Sequence, residues 1–318
     1  MMKVFVTGAT GFLGGRVVDG LLAEGHRVRA LVRDPSRAPR GVEVTRGGLA
    51  DVAAWEADLA GCDVVVHLAA VVSTWERGDG LSRVNVGGTR DLIEAAKRHG
   101  VRRFVHMSSE SVLQEGRPLL DIDEGHPAAD RPSSRYGAAK LLAERAVRAH
   151  AGGIETITLR PAFIWGPGSA HVAGFVARAR AGRLPLVDKG RAVVEHVHVD
   201  NVAAATVAAL TEGAPGGTYF ITNGEPMPVR DLLGGILGAF DTALPTRSLP
   251  GRLAYAAAGA GERLWRTLPL PGRPPVTRFE VEFLALPRRY DITRARTELG
   301  YVPAVTFADG LKTLGTAR

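Results

Sequence analysis

The chain has 318 residues, 45% hydrophobic and 23% charged, which suits one domain with an added lobe around a sizeable core. Its net charge of +7 comes almost wholly from arginines scattered among acids (Arg29, Arg33, Asp34, Arg37, Arg40, Glu43), with no basic tract or module that would make nucleic acid a partner. One cysteine, Cys62, excludes an internal disulfide and favours a cytoplasmic chain, no cluster has metal-ligand spacing, and no stretch reaches the roughly 18 uncharged apolar residues of a membrane span.

In chain order, Lys3–Thr7 reads as a first strand. Phe12–Glu24 follows as a helix with Val17, Leu21 and Leu22 on its buried side and Gly25 stopping it. Val28–Arg33 and Val42–Thr45 are the next strands, then a helix over Val52–Ala60. Asp63–His67 is a nearly continuous apolar run, as expected of a strand buried on both faces. Asn85–Arg98 is a long helix, Phe104–Met107 a strand, Arg135–Ala149 a helix and Thr156–Leu159 a strand. This alternation predicts an α/β fold with a doubly wound parallel sheet, ligands lying at the carboxyl ends of its strands.

Prolines cluster at 161–185 and 245–287, and the texture changes. The expectation is a dinucleotide-binding domain over 1–160, rejoined by about 191–218 through a strand and helix at Val197–Leu210. Residues 161–190 and 219–318 would form a smaller α/β substrate lobe. Leu253–Gly261, uncharged and alanine-rich, followed by Leu264 and Trp265, reads either as the lining of an apolar pocket or as the core of that lobe.

Gly8, Gly11 and Gly14 stand between the first strand and its helix in VTGATGFLGG, with Thr10, Phe12 and Leu13 filling the loop and helix start. Glycines there permit a tight turn, close approach of backbone to a pyrophosphate and close helix–strand packing, while the helix N-terminus offers free N–H groups to phosphate. The second strand ends LVRDPSR. A carboxylate at this strand end commonly reads the ribose 2′-hydroxyl of NAD; here Val32 holds that place and Arg33 follows. A guanidinium matches a 2′-phosphate, so NADP(H) is favoured, with NAD(H) left open because Asp34 comes next.

Tyr136 and Lys140 are four apart on one helix face, the spacing that lets an ammonium stabilise a phenolate and tune it for proton transfer. The glycine spacing, HLAA at His67–Ala70, Tyr136-Gly-Ala-Ala-Lys140, HMSSES after the fifth strand and LRPAFIWGPG at Arg160–Gly168 together resemble the extended short-chain dehydrogenase/reductase superfamily. That resemblance implies a Rossmann fold, a nicotinamide cofactor and a Ser-Tyr-Lys triad. It implies that Leu68, Ala69 and Ala70 line the adenosine ribose, Leu49 the adenine, and Pro161 and Ile164 the nicotinamide. It selects Ser109 as the serine, with Ser108 and Ser111 as alternatives.

The carboxyl-terminal segments YFITNGEPMPVRDLL, ERLWRTLPLPGRPPVTRF and YDITRARTELGYVP are similar to the 3β-hydroxysteroid dehydrogenase branch, and particularly to bacterial 2-alkyl-3-oxoalkanoate reductases. They imply hydride transfer to or from an oxygen-bearing carbon of a bulky hydrophobic small molecule. A nucleotide-sugar epimerase or dehydratase with retained NAD, and a non-catalytic NADP-sensing protein, are the competing readings. As further partners the sequence leaves open a homodimer and, because Arg252, Arg263 and Arg266 flank an apolar stretch, a peripheral membrane contact.

Overall fold

The computed structural model describes residues 1–73, 75, 78–268 and 270–315; the last three residues of the expected lobe, 316–318, lie outside them. The first half runs β1 (Lys3–Thr7), α1 (Phe12–Ala23), β2 (Arg27–Val32), β3 (Glu43–Arg46), β4 (Val64–His67), α2 (Gly88–Arg98), β5 (Arg103–Met107), β6 (Leu119–Ile122), α3 (Arg135–Ala149) and β7 (Glu155–Pro161). The second half continues β8 (Phe163–Trp165), α4 (Ala170–Arg180), β9 (Leu186–Val187), β10 (Val193–Val194), β11 (His196–His198), α5 (Val199–Ala208), β12 (Thr218–Ile221), β13 (Met227–Pro228) and α6 (Val229–Gly238). It ends with β14 (Ser248–Leu249), α7 (Gly251–Thr267), α8 (Arg278–Ala285), β15 (Arg288–Tyr290), α9 (Thr293–Glu298) and α10 (Phe307–Leu314).

The expected doubly wound parallel sheet is present, seven-stranded, in the order β12-β7-β5-β4-β1-β2-β3. The order reverses beside β1, and crevices outside the carboxyl ends of strands at such a point are where ligands sit. Both faces are covered. One apolar cluster joins Val4, Val6, Val17, Leu21 and Val66 to the far end of the chain through Ala295, Leu299 and Tyr301. A second packs Phe5, Trp55, Leu92, Ile93 and Phe104 on the opposite face.

Two elements depart from the sequence pattern. The helix expected over Val52–Ala60 is only a short turn at Glu56–Leu59. Trp55 is held instead by stacking on Phe5 at 5.4 Å and by donating its indole N–H to the Gly48 carbonyl, tertiary contacts that outweigh local helix propensity. The helix expected from Asn85 begins earlier, with a wide turn over Leu81–Gly87 leading into α2.

Val197–Leu210 returns to the first domain as α5 packed on α1, while its strand β11 pairs with β8 outside the large sheet. The edge strand is β12, whose Thr218–Ile221 pair with Thr158–Pro161 of β7, so the large sheet runs past residue 218. The lobe carries a four-stranded sheet, β13-β10-β15-β6, one strand of which comes from the first half of the chain. Its apolar core holds Trp165, Leu232, Ile236 and Leu284.

Candidate active site

At the carboxyl ends of the sheet a cleft of about 1120 Å³ opens toward the lobe. The catalytic and cofactor-contact residues expected from sequence all border it: Gly8, Thr10, Gly11, Phe12, Leu13, Gly14, Arg33, Leu49, Leu68, Ala69, Ala70, Ser109, Tyr136, Lys140, Pro161 and Ile164.

The glycine loop makes one wall. Gly8 has φ +77°, a conformation that strains any side chain, and a Cβ there would fall 2.7 Å from the Ala69 nitrogen. A Cβ on Gly14 would lie 2.0 Å from the Gly8 carbonyl oxygen. The loop therefore folds tightly against both α1 and the end of β4. No side chain caps the N-terminus of α1 at Gly11, so its first N–H groups and positive dipole end are available to an anion. That arrangement fits a dinucleotide pyrophosphate.

The adjoining wall, 68–71, is fixed by a chain of buried hydrogen bonds. Ala69 donates its N–H to Thr7 Oγ1, which is joined to His67 Nδ1 at 2.7 Å. His67 Nε2 reaches Thr89 Oγ1 at 2.8 Å, and Thr89 spends its own hydroxyl proton on the Asn85 carbonyl. The His67 proton must then sit on Nε2, leaving Nδ1 to accept from Thr7. Burial, with the Lys140 charge nearby, pushes the His67 pKa down to about 3, so the ring stays neutral. Asn85 completes the wall by accepting from the Val71 N–H and donating to its carbonyl.

Arg33 is exposed just past the end of β2 and lines the cleft. Its aliphatic stem lies alongside Gly48, where a Cβ would meet Arg33 Cγ in ordinary van der Waals contact at 3.7 Å. Asp34 is engaged elsewhere: its carboxylate accepts from the N–H and hydroxyl of Ser36, which lowers its pKa.

Tyr136 and Lys140 stand on the first turns of α3, capped by Ser134 Oγ accepting from the Gly137 N–H at 2.9 Å. A Cβ on Gly137 would fall 2.5 Å from the Ser111 carbonyl oxygen. Glycine thus lets α3 press against the turn after β5, and Tyr136 lines the same cleft as the serines of that turn. Lys140 is 3% exposed, and its ammonium donates to the Met107 carbonyl at 2.6 Å. Burial pushes its pKa down to about 8 against the opposing pull of Glu144, and burial pushes Tyr136 up to about 12. At neutral pH the cleft is therefore lined by a protonated phenol and by an ammonium near its titration point.

Of the three serines, Ser109 is the partly exposed one; Ser108 and Ser111 are buried. Ser109 Oγ accepts from the Ser111 N–H at 3.2 Å, which leaves its own proton free to be donated into the cleft.

The lobe side of the cleft was not legible in sequence. Phe163 meets Phe283 at 5.0 Å and Phe175 at 6.0 Å between ring centroids, with Phe279 and Leu284 alongside. Arg178 and Arg273 converge on Glu280, at 3.8 and 3.1 Å. These residues lie on β8, α4, α8 and the approach to α8, inside segments that the sequence assigned only to the substrate lobe. Conversely, Leu253–Gly261 does not line the cleft. Ala254 and Ala258 enter the lobe core, whereas Leu253 is 65% exposed, so the pocket reading is corrected: α7 turns its wider apolar face outward. Cys62 is a buried packing residue. Among the described residues no group of His, Cys, Asp or Glu is placed to hold a metal ion.

The sequence profile of the NAD dependent epimerase/dehydratase family matches residues 4–222, which span the glycine loop, the serines, Tyr136 and Lys140. The chain belongs to this family. It is accordingly a nicotinamide-dependent enzyme of the extended short-chain dehydrogenase/reductase type. Across 98% of both chains it is 39% identical to a 2-alkyl-3-oxoalkanoate reductase of Stenotrophomonas maltophilia. It is 37% identical to a 4-hydroxy-2-methyl-3-oxo-4-farnesyl-3,4-dihydroquinoline-1-oxide ketoreductase of Stigmatella aurantiaca, over 99% of this chain and 96% of that one. It is 32% identical to a 3 beta-hydroxysteroid dehydrogenase/Delta 5-->4-isomerase of Mycobacterium tuberculosis, over 97% and 88%. Among solved structures, a short-chain dehydrogenase/reductase superfamily protein of Agrobacterium tumefaciens with bound NAD superposes with a TM-score of 0.76 at 27% identity, over 99% and 97% of the chains. A UDP-glucose 4-epimerase of Thermotoga maritima gives 0.77 at 23% identity, over 99% and 98%, and shares the fold.

Proposed function

We propose that this family member is an NADPH-linked reductase acting on a keto carbon of a bulky hydrophobic substrate, of the 2-alkyl-3-oxoalkanoate or 3-ketosteroid type. The observation that carries this reading is the division of the cleft. Ser109, Tyr136 and Lys140 stand beside the glycine loop at one end, and Phe163, Phe175, Phe279 and Phe283 line the other. The aromatic wall buries apolar surface, and the arginines beside it, Arg178 and Arg273, are paired with Glu280.

Bound at the glycine loop, a nicotinamide supplies the hydride. The residues of the chain supply the rest. Ser109 donates to the substrate carbonyl oxygen and holds it beside Tyr136. The phenol, kept protonated at neutral pH by its burial, delivers the proton to that oxygen as negative charge develops on it. Lys140 stabilises the phenolate that remains, and the Met107 carbonyl holds the ammonium in place for this. Arg33 supports NADPH over NADH, because it lies free at the strand end while Asp34 is committed to Ser36.

The test is NADPH oxidation over a panel of 2-alkyl-3-oxoacyl compounds, ketosteroids and UDP-sugars, run with wild type and Tyr136→Phe. Turnover is expected on the first two classes, with kcat falling about 10²–10⁴-fold in the variant. Turnover of UDP-sugars alone, or a variant that keeps wild-type kcat, overturns the reading. The epimerase alternative rests on the shared fold; isolation of the protein with tightly held NAD would favour it.

A further inference from the structure

The geometry points to α7 as a docking face for an anionic lipid bilayer. The helix divides into three strips. Ala254, Ala258, Glu262 and Trp265 face the lobe, and Arg252, Arg263 and Arg266 lie along one flank. Leu253, Ala256, Ala257, Ala260 and Leu264 form an outward stripe, and exposed Leu268 follows just past the helix end. Leu253 is 65% exposed, Leu264 45% and Leu268 47%, and the neighbouring Leu249 on β14 adds another 45%. An outward strip of alanines bearing two exposed leucines, Leu253 and Leu264, three turns apart is the opposite of what a solvated helix presents.

Charge selects the occupant. Along α7 the sequence holds three arginines, Arg252, Arg263 and Arg266, and a single acid, Glu262. That acid is buried and paired with Arg278 at 2.8 Å, so it neutralises none of the flank. A second copy docking antiparallel through the same face would set its arginine flank beside that of the first across a two-fold axis. A bilayer bearing anionic headgroups accepts both features together, the leucines entering the acyl boundary and the arginines meeting phosphate.

The face is also joined to the cleft. Arg266 lies over the Trp75 ring at 5.4 Å, and the loop carrying Trp75 contributes Val72, 62% exposed, and Ser73 to the cleft wall. On its other side α7 packs on α8, which supplies Phe279 and Phe283. A chain docked through α7 holds its apolar cleft next to the lipid from which a water-insoluble substrate would come. Substrate capture rests on the function proposed above; the docking itself does not.

The experiment is co-sedimentation of the full chain with vesicles of phosphatidylcholine alone and of phosphatidylcholine with phosphatidylglycerol, at low and high salt. Wild type is expected on the anionic vesicles only, and less at high salt. Arg252→Gln/Arg263→Gln should weaken binding roughly tenfold or more, and Leu253→Asn/Leu264→Asn should remove it. Both double variants should keep wild-type NADPH oxidation on a water-soluble short-chain β-keto ester, which also shows that they fold. Failure of wild type to sediment, or unchanged binding by both variants, overturns the proposal. Loss of a dimer in light scattering on Leu253→Asn/Leu264→Asn also overturns it, because a second copy would then cover the face. Vesicle binding without any reductase activity would leave the docking standing and refute the reading of the cleft.

Discussion

At the scale of single residues, burial sets the chemistry of the cleft. Lys140 is held as an ammonium where its pKa is only about 8, so below pH 8 the folded chain carries the cost of a buried charge. The cost fades as pH rises from 8 toward the ordinary 10.5, because the unfolded chain then holds a proton that the folded one has released. Lys140→Met should therefore raise Tm by a few degrees at pH 7 while destroying activity, and the gap should close near pH 10. Melting curves of both proteins across that range decide it; a lower Tm for the variant at pH 7 would mean that the bond to Met107 outweighs desolvation. Arg33 belongs to the same scale. A charge-assisted guanidinium–phosphate contact contributes about 1.5–3 kcal/mol, so NADPH should bind at least about tenfold more tightly than NADH. Arg33→Ala should erase most of that preference in cofactor titrations, and equal wild-type affinities would place Arg33 in solvent.

At the scale of elements, the position of α3 governs the site because it carries both Tyr136 and Lys140. Its middle is fastened to β7 by Glu144, which accepts from Arg160 at 2.9 and 2.6 Å with both side chains about 5% exposed. Removing one partner of such a pair strands the other charge in the interior. Glu144→Ala should cost about 3–5 kcal/mol in denaturant unfolding. The double replacement Glu144→Leu/Arg160→Leu should cost far less, since it removes both desolvation penalties at once. If the two variants lose equal stability, the side chains contribute by packing and not as an ion pair. The helix over Val52–Ala60 failed at this scale too: its pattern is locally helical, but Trp55 is committed to Phe5 and Gly48, partners distant in sequence or across a turn.

For the whole molecule, the two parts expected from sequence are interleaved. The edge strand β12 follows the lobe segment α4 in the chain, and β6 from the first half joins the lobe sheet. The chain end closes the first domain. Tyr219 donates to Glu298 at 2.6 Å, Tyr301 donates to the Thr222 carbonyl at 2.9 Å, and Ala295 and Leu299 sit in the main core. The full chain should thus unfold in one calorimetric transition, and a chain ended at residue 290 should lack a native melting transition. Two separate transitions, or a truncated chain with the full-length Tm, would show that the domain and lobe are independent.

What the sequence determined by itself were the features written in short segments. These are the strand–glycine–helix unit at Lys3–Ala23, the four-residue interval from Tyr136 to Lys140, and the apolar strands of a sheet buried on both faces. Each depends on neighbours a few residues apart, so spacing alone specifies it. The tertiary structure decided the rest. It set all three serines at the cleft with only Ser109 partly exposed, tied Asp34 to Ser36, and gathered Phe163, Phe175, Phe279 and Phe283 from three elements into one wall. It also turned the leucines of α7 outward, which periodicity cannot reveal. An amphipathic pattern states that a helix has an apolar face, and only the packing of the lobe determines whether that face is covered.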